Sequence, residues 1–196
     1  MRRATVSMVI FLAIVLAAAT PEYNVDWGAL DRAFSAYIKE PSATRARQIT
    51  HLLPPGYVVR TTGVFNIEIA ERISGQLGPL DSMTKQANSD AIDVAFALIA
   101  ISDGAFTEEL LTMIASSVDA DPAAFLAALK RNSSRPFATC DLALDVGLDY
   151  VDDSNGELAR LKRRLEKVER VNRPELEQEK QCVIKSLQTA VKAQVK

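Results

Sequence analysis

The residues best placed to do chemistry lie in one acidic run, DLALDVGLDYVDD, residues 141–153. Carboxylates gathered like this can hold a cation, face a basic partner, or meet water. Leu142, Leu144, Val146, Leu148 and Tyr150 alternate along the run, as in a half-buried strand. A strand, however, would place Val151 with the acids and would rely on Asp, Ala and Gly, which are poor β-formers. On a helix of about 100° per residue, Asp141, Asp145, Asp149 and Asp152 share an arc of about 80°, with Leu142, Val146, Tyr150 and Val151 opposite. The spacing therefore predicts a helix with an acidic face made by Asp141, Asp145, Asp149 and Asp152. The following DDSNGE stretch invites a test against the EF-hand loop. With Gly156 at the sixth position, the first would be Val151 and the twelfth Lys162, and neither ligates as that loop requires. A looser oxygen site from Asp149, Asp152 and Asp153 stays open. So do a solvated face offset by Arg160, Arg163 or Arg164, and a basic protein partner.

Other reactive groups are sparse. His51 is the only histidine. Beside Leu52 and Pro54 it reads as structural, because a serine triad or a histidine zinc site needs a placed His with partners. No Gly-rich nucleotide motif and no Cys/His metal spacing occurs, so no metal site and no cofactor is expected. Carboxylates alone can run glycoside hydrolysis. Exported helical muramidases are a known class, and Glu68 and Glu109, each just after a helix start, are the nominal acids for that alternative. Cys140 and Cys182 are the only cysteines. In an exported chain such a pair reads as one disulfide; the alternative is two free thiols. The bridge would close a loop of about 40 residues, worth roughly 3–4 kcal/mol in the chain-entropy account. Asn132-Ser133-Ser134 is a glycosylation sequon that matters only in a eukaryotic secretory route.

The elements that must position these groups read as helix after helix. Asn24 or Asp26 can cap a first helix bearing Trp27, Leu30, Phe34, Tyr37 and Ile38. Ser42 can cap a second with Ile49, Leu52 and Leu53, stopped by Pro54-Pro55-Gly56. A third starts at Asn66 and carries Ile69, Ile73 and Leu77. A fourth starts at Ser89 and is apolar nearly all round, hence central. Thr107 is the expected cap of a fifth. Asp121-Pro122 is a strong start signal for a sixth. Asn155-Gly156 is read as a break before a helix with Leu158, Leu161, Leu165 and Val168, and a last helix runs from about Pro174 to Ala193. Tyr57-Val58-Val59 is the only other candidate strand, and three residues cannot build a sheet. The fold class is all-α.

An internal echo sets the expected architecture. Residues 61–73 read TTGVFNIEIAERI and residues 102–114 read SDGAFTEELLTMI. Gly63, Phe65, Glu68 and Ile73 match Gly104, Phe106, Glu109 and Ile114 at an offset of 41. A period near 40 built from helix pairs resembles HEAT-like or armadillo-like repeats, over two copies within residues 57–131. The resemblance implies stacked helical hairpins, α-solenoid-like, with eight to nine helices and a binding surface. It implies no catalysis.

Composition and charge complete the reading. Met1-Arg2-Arg3, an apolar run from Val6 to Ala19 interrupted by Ser7, and Ala17-Ala18-Ala19 have the form of a secretory signal peptide, with the cut expected after Ala19. The run is short for a membrane span, which needs roughly 20 apolar residues. No stable membrane anchor is therefore expected after cleavage. Residues 20–196 then form one all-α domain, with 155–196 as a C-terminal helical hairpin. Residues 88–153 hold twelve acidic and three basic side chains, and residues 157–196 hold six acidic and eleven basic. This layout predicts internal attraction, head-to-tail association, or two surfaces for two partners. An overall acidic chain does not suit nucleic acid. The expected protein is thus an exported, periplasmic or secreted, non-catalytic module binding a protein partner, as inhibitor, immunity protein or adaptor. The alternatives are a self-associating structural subunit and a carboxylate-dependent cell-wall glycan hydrolase.

Overall fold

Most helices begin where a side chain can accept the free N–H groups of a first turn. A computed structural model describes residues 24–56, 65–147 and 153–194, and these form nine α-helices with no strand. Asp26 accepts from the Ala29 N–H at the start of α1 (Trp27–Lys39). Ser42 does the same for α2 (Ala43–Leu52), Asn66 for α3 (Ile67–Ser74) and Asn88 for α5 (Ser89–Leu98). Asp121 takes two N–H groups, those of Ala123 and Ala124, ahead of α7 (Pro122–Arg131). The all-α expectation holds across the described residues. The leader with its cut after Ala19, the Tyr57–Val59 stretch and Gly63 of the first repeat copy lie outside them.

Four elements differ from the sequence reading: α3 ends at Ser74, so Leu77, expected on it, lies past its end. A short helix, α4 (Gly78–Lys85), was not expected; it starts on Gly78-Pro79 with no side-chain cap. The next, α6 (Gly104–Ala120), starts three residues before Thr107. The Thr107 hydroxyl instead lies 2.7 Å from that of Ser102, so it does not cap the helix. The two repeat copies therefore begin their helices in different register. Finally, α8 (Ser154–Glu169) includes Asn155-Gly156 in its first turn. The Asp153 carboxylate accepts the Gly156 N–H at 2.9 Å, which turns an expected break into a capped start.

The core is centred on α5. Its apolar residues from Ala91 to Leu98 are all buried, as its all-round hydrophobicity predicts. It packs against α2, α4, α6 and α7. A 3-10 turn, Ile99–Ile101, leads on to α6. On one side α1 lies over α2 and reaches α3, where Trp27 meets Phe65 edge to face at 5.1 Å. On the other, α7 also touches α8 and the last helix, α9 (Glu177–Gln194), which pair as the expected C-terminal hairpin around the 3-10 turn Pro174–Leu176. Leu161, Val168, Leu176, Val183 and Leu187 are buried along it.

The C-terminal end of α7 is pinned to α5 by polar contacts. Arg131 places a two-pronged fork on Asp93, at 2.9 and 3.1 Å. Asn132 is buried, and its amide Nδ2 donates to Asp93 at 2.6 Å and to the Ala128 carbonyl at 3.0 Å.

Candidate functional site

The acidic run is not an α-helix over its described part. Cys140–Leu144 makes a 3-10 turn, Asp145–Gly147 runs on without helix, and residues 148–152 lie outside the described residues. The reason is tertiary. Leu142 and Ala143 are buried. Asp145 folds its carboxylate back onto the Gly147 N–H at 2.8 Å, an Asx-type turn that competes with helix. Gly147 takes φ +79°, and a Cβ there would come within 3.3 Å of the Thr112 methyl. The helix α8 then claims the run's carbonyls. Arg164 donates to the Ala143 and Asp145 oxygens at 2.8 and 2.6 Å, and Arg160 to the Val146 oxygen at 2.6 Å.

These same two arginines meet on Asp119 of α6. Each forms an ion pair with Oδ2 at 2.8 Å. Lys167, the next turn along α8, donates to the Asp119 carbonyl. Arg164 is fully buried, with 0% of its side chain exposed. Burial draws its guanidinium below the usual range, opposed by Asp119 and by the more distant charge of Asp145. For Asp119, burial pushes the carboxyl up, but hydrogen bonds and charge from Arg164 and Arg160 outweigh it and hold the group low. The expected pairing of the run with Arg160 and Arg164 thus takes a different form. The arginines bind its backbone oxygens and spend their charge on Asp119.

Of the expected acidic face only Asp141 and Asp145 lie among the described residues, and they turn to different helices. Asp141 turns to α9 and accepts from the Ser186 hydroxyl at 2.6 Å. Asp145 turns to α6, where the Thr112 hydroxyl donates to it at 3.1 Å. Asp149 and Asp152 lie outside the described residues. The disulfide is formed: Cys140 and Cys182 are joined with their Cα atoms 5.8 Å apart, tying the head of the run to α9.

What the run does build is one wall of a cleft of about 490 Å³ between α4, α6 and α8. Asp145, Val146 and Gly147 face Asp81 and Lys85 of α4, and Glu108, Glu109 and Met113 of α6 contribute the remaining edge. Lys85 is paired with Asp81 at 2.6 Å. Comparison with protein families, characterised proteins and solved structures gives no match. The cleft's own geometry is therefore the guide to what it takes. Glu109, a nominal hydrolase acid, shares the lining with Asp145, whereas Glu68 sits on α3 away from it. Among the described residues no group of three His, Cys, Asp or Glu side chains is placed to hold a metal ion.

A second, shallower hollow of about 400 Å³ holds His51 with Asp93, Arg131 and Arg135. Arg135 donates to the Pro54 carbonyl at 3.0 Å and to the Thr50 carbonyl at 3.5 Å, and so closes the C-terminal end of α2. Asp93 is taken by Arg131 and Asn132. These contacts tie the segment after α7 to α2 and α5; His51, read from the sequence as structural, is exposed on the hollow.

Sequence reasoning missed the cluster of Asp119, Arg160 and Arg164. A signal was present. Leu161, Arg164 and Val168 fall on one helical face, and an arginine inside an apolar stripe requires a buried acceptor.

Proposed function

We propose that this chain is an exported helical binding module, of inhibitor, immunity or adaptor type, whose cleft takes a basic segment of a protein partner. The observation that supports this most is the imbalance of charge in the cleft. Lys85 is spent on Asp81, and Arg160 and Arg164 on Asp119, while Glu108 and Glu109 stand exposed at the rim. Ala105 and Val146 supply apolar surface in the same lining. A lysine or arginine side chain fits such a site, with its stem on the apolar surface and its head at the carboxylates. The volume lies in the range of binding clefts. The form of the leader and the disulfide support export. No described helix is long and apolar enough to cross a membrane. The all-α fold of the described residues, with helices paired through their buried faces, supports the reading at that level.

The test is a fluorescent Lys/Arg-rich peptide titrated against the full chain. We expect binding that weakens with salt, because charges at an open rim are screened. Glu108→Lys with Glu109→Lys should weaken it by at least about tenfold, a change of about 1.4 kcal/mol. Equal affinity in both proteins would remove the cleft from the binding reading. If the occupant is instead the basic tail of a second copy, as a self-associating subunit requires, sedimentation will show salt-sensitive oligomers.

One observation favours a second reading. Glu109 and Asp145 line one cleft, as a two-carboxylate glycan hydrolase needs. Cell-wall clearing by the unmodified protein that is lost in Glu109→Gln would establish it, and no clearing by the unmodified protein dismisses it.

A further inference from the structure

The wall Asp141–Gly147 is fastened to the C-terminal hairpin in two chemically different ways. At its head, Cys140 is bonded to Cys182 of α9, with the Asp141–Ser186 hydrogen bond beside it. At its far end, Arg164 and Arg160 hold the Ala143, Asp145 and Val146 carbonyls. The last three residues of this wall line the cleft. The helices on either side also have packing of their own. The α8–α9 pair is closed by its own buried residues, Leu161, Val168, Val183 and Leu187, and α6 by its place against α4, α5 and α7. Cys182 is exposed on α9, whereas Cys140 is half-buried, so Cys182 is the end that an incoming thiolate meets first.

We propose that Cys140–Cys182 is a redox latch on the cleft. Its reduction leaves the helices in place, loosens the wall Asp141–Gly147 and weakens binding in the cleft. The inference rests on the cleft being the binding site. The reductant is a dithiol. Its thiolate attacks the Cys182 sulfur, forming a mixed disulfide and releasing Cys140, which takes up a proton. The second thiol of the reductant then attacks the mixed disulfide and releases Cys182 as a thiol. Two electrons and two protons pass to the protein, and the dithiol leaves as its own disulfide. In the reduced state the wall loses its one covalent tie and keeps the buried Leu142 and Ala143, the Asp141–Ser186 and Thr112–Asp145 hydrogen bonds, and the guanidinium–carbonyl bonds, of which the polar ones weaken with salt and competing anions.

The experiment compares the oxidised chain, the chain reduced with dithiothreitol, and Cys140→Ser with Cys182→Ser. Far-UV circular dichroism, hydrogen exchange of residues 141–147 and affinity for the Lys/Arg-rich peptide are read on each. We expect unchanged helicity, exchange at 141–147 faster by about tenfold or more, and peptide affinity lower by about tenfold, with both differences growing at high salt. Unchanged exchange at 141–147 overturns the latch. Wholesale loss of helicity on reduction also overturns it, since the bond would then be a staple for the entire fold. Faster exchange with peptide bound equally well in both states overturns the link between wall and cleft. Faster exchange with no peptide bound in any state supports the mobile wall and sinks the basic-partner reading, so the two failures are distinct.

Discussion

One oxygen of Asp119, Oδ2, accepts from four guanidinium N–H groups, two from Arg160 and two from Arg164. Removing that charge strands a fully buried guanidinium. Loss of one partner of a buried pair costs about 3–5 kcal/mol. Because the Asp119 side chain keeps 28% of its exposure, we expect Asp119→Asn to destabilise the chain by the lower end of that range, read as a fall in the urea midpoint. The same group sets an acid limb. Its folded carboxyl titrates below its unfolded value, so its contribution is complete above about pH 4 and is lost as pH falls through the folded value. The Asn variant should lack that limb in stability measured between about pH 4 and pH 2. None of this was legible in the acidic run itself, where four aspartates at helical spacing suggested a face. The decisive residues lie elsewhere in the chain, on α6 and α8, and only the burial of Arg164 within an apolar stripe pointed toward them.

Helix starts were the most legible elements, since a cap is a local event. Asp26, Ser42, Asn66 and Asp121 each bond the N–H groups that their positions predict, and the helix expected from Ser89 starts there, capped by Asn88. Local signals failed where a tertiary demand or a second cap competed. Thr107 lies inside the first turn of α6, which follows Asp103, and its hydroxyl pairs with that of Ser102. Asn155-Gly156 resembled a turn, yet Asp153 sits where its carboxylate can hold the Gly156 N–H. The element α4 was missed because it is short and opens on Gly-Pro with no side-chain cap, although Leu77, Leu80 and Met83 fall at helical spacing. The boundary at α8 is testable. Asp153→Ala should cost about 1 kcal/mol, the usual worth of a cap, and should raise hydrogen exchange over the first turn of α8 alone. No change would mean that Asn155-Gly156 acts as a break after all.

Across the whole molecule, part of the charge asymmetry between the middle and the tail is settled inside the chain. Arg160, Arg164 and Lys167 turn toward Asp119 and the wall. The disulfide spans 42 positions between the same two regions. In the chain-entropy account such a loop contributes roughly 3–4 kcal/mol, so Cys140→Ser with Cys182→Ser should lower the unfolding free energy by about that much while helical content at 25 °C is kept. Denaturant titration followed by circular dichroism checks both at once. A last consequence concerns how the chain is made. The amide of Asn132, the acceptor of its one Asn-Ser-Ser sequon, is the group that docks α7 onto Asp93. A sugar transferred to that nitrogen on a nascent chain would occupy the site that α5 must fill. Biosynthesis through a compartment with an oligosaccharyltransferase would therefore set modification of Asn132 against the docking of α7 on α5.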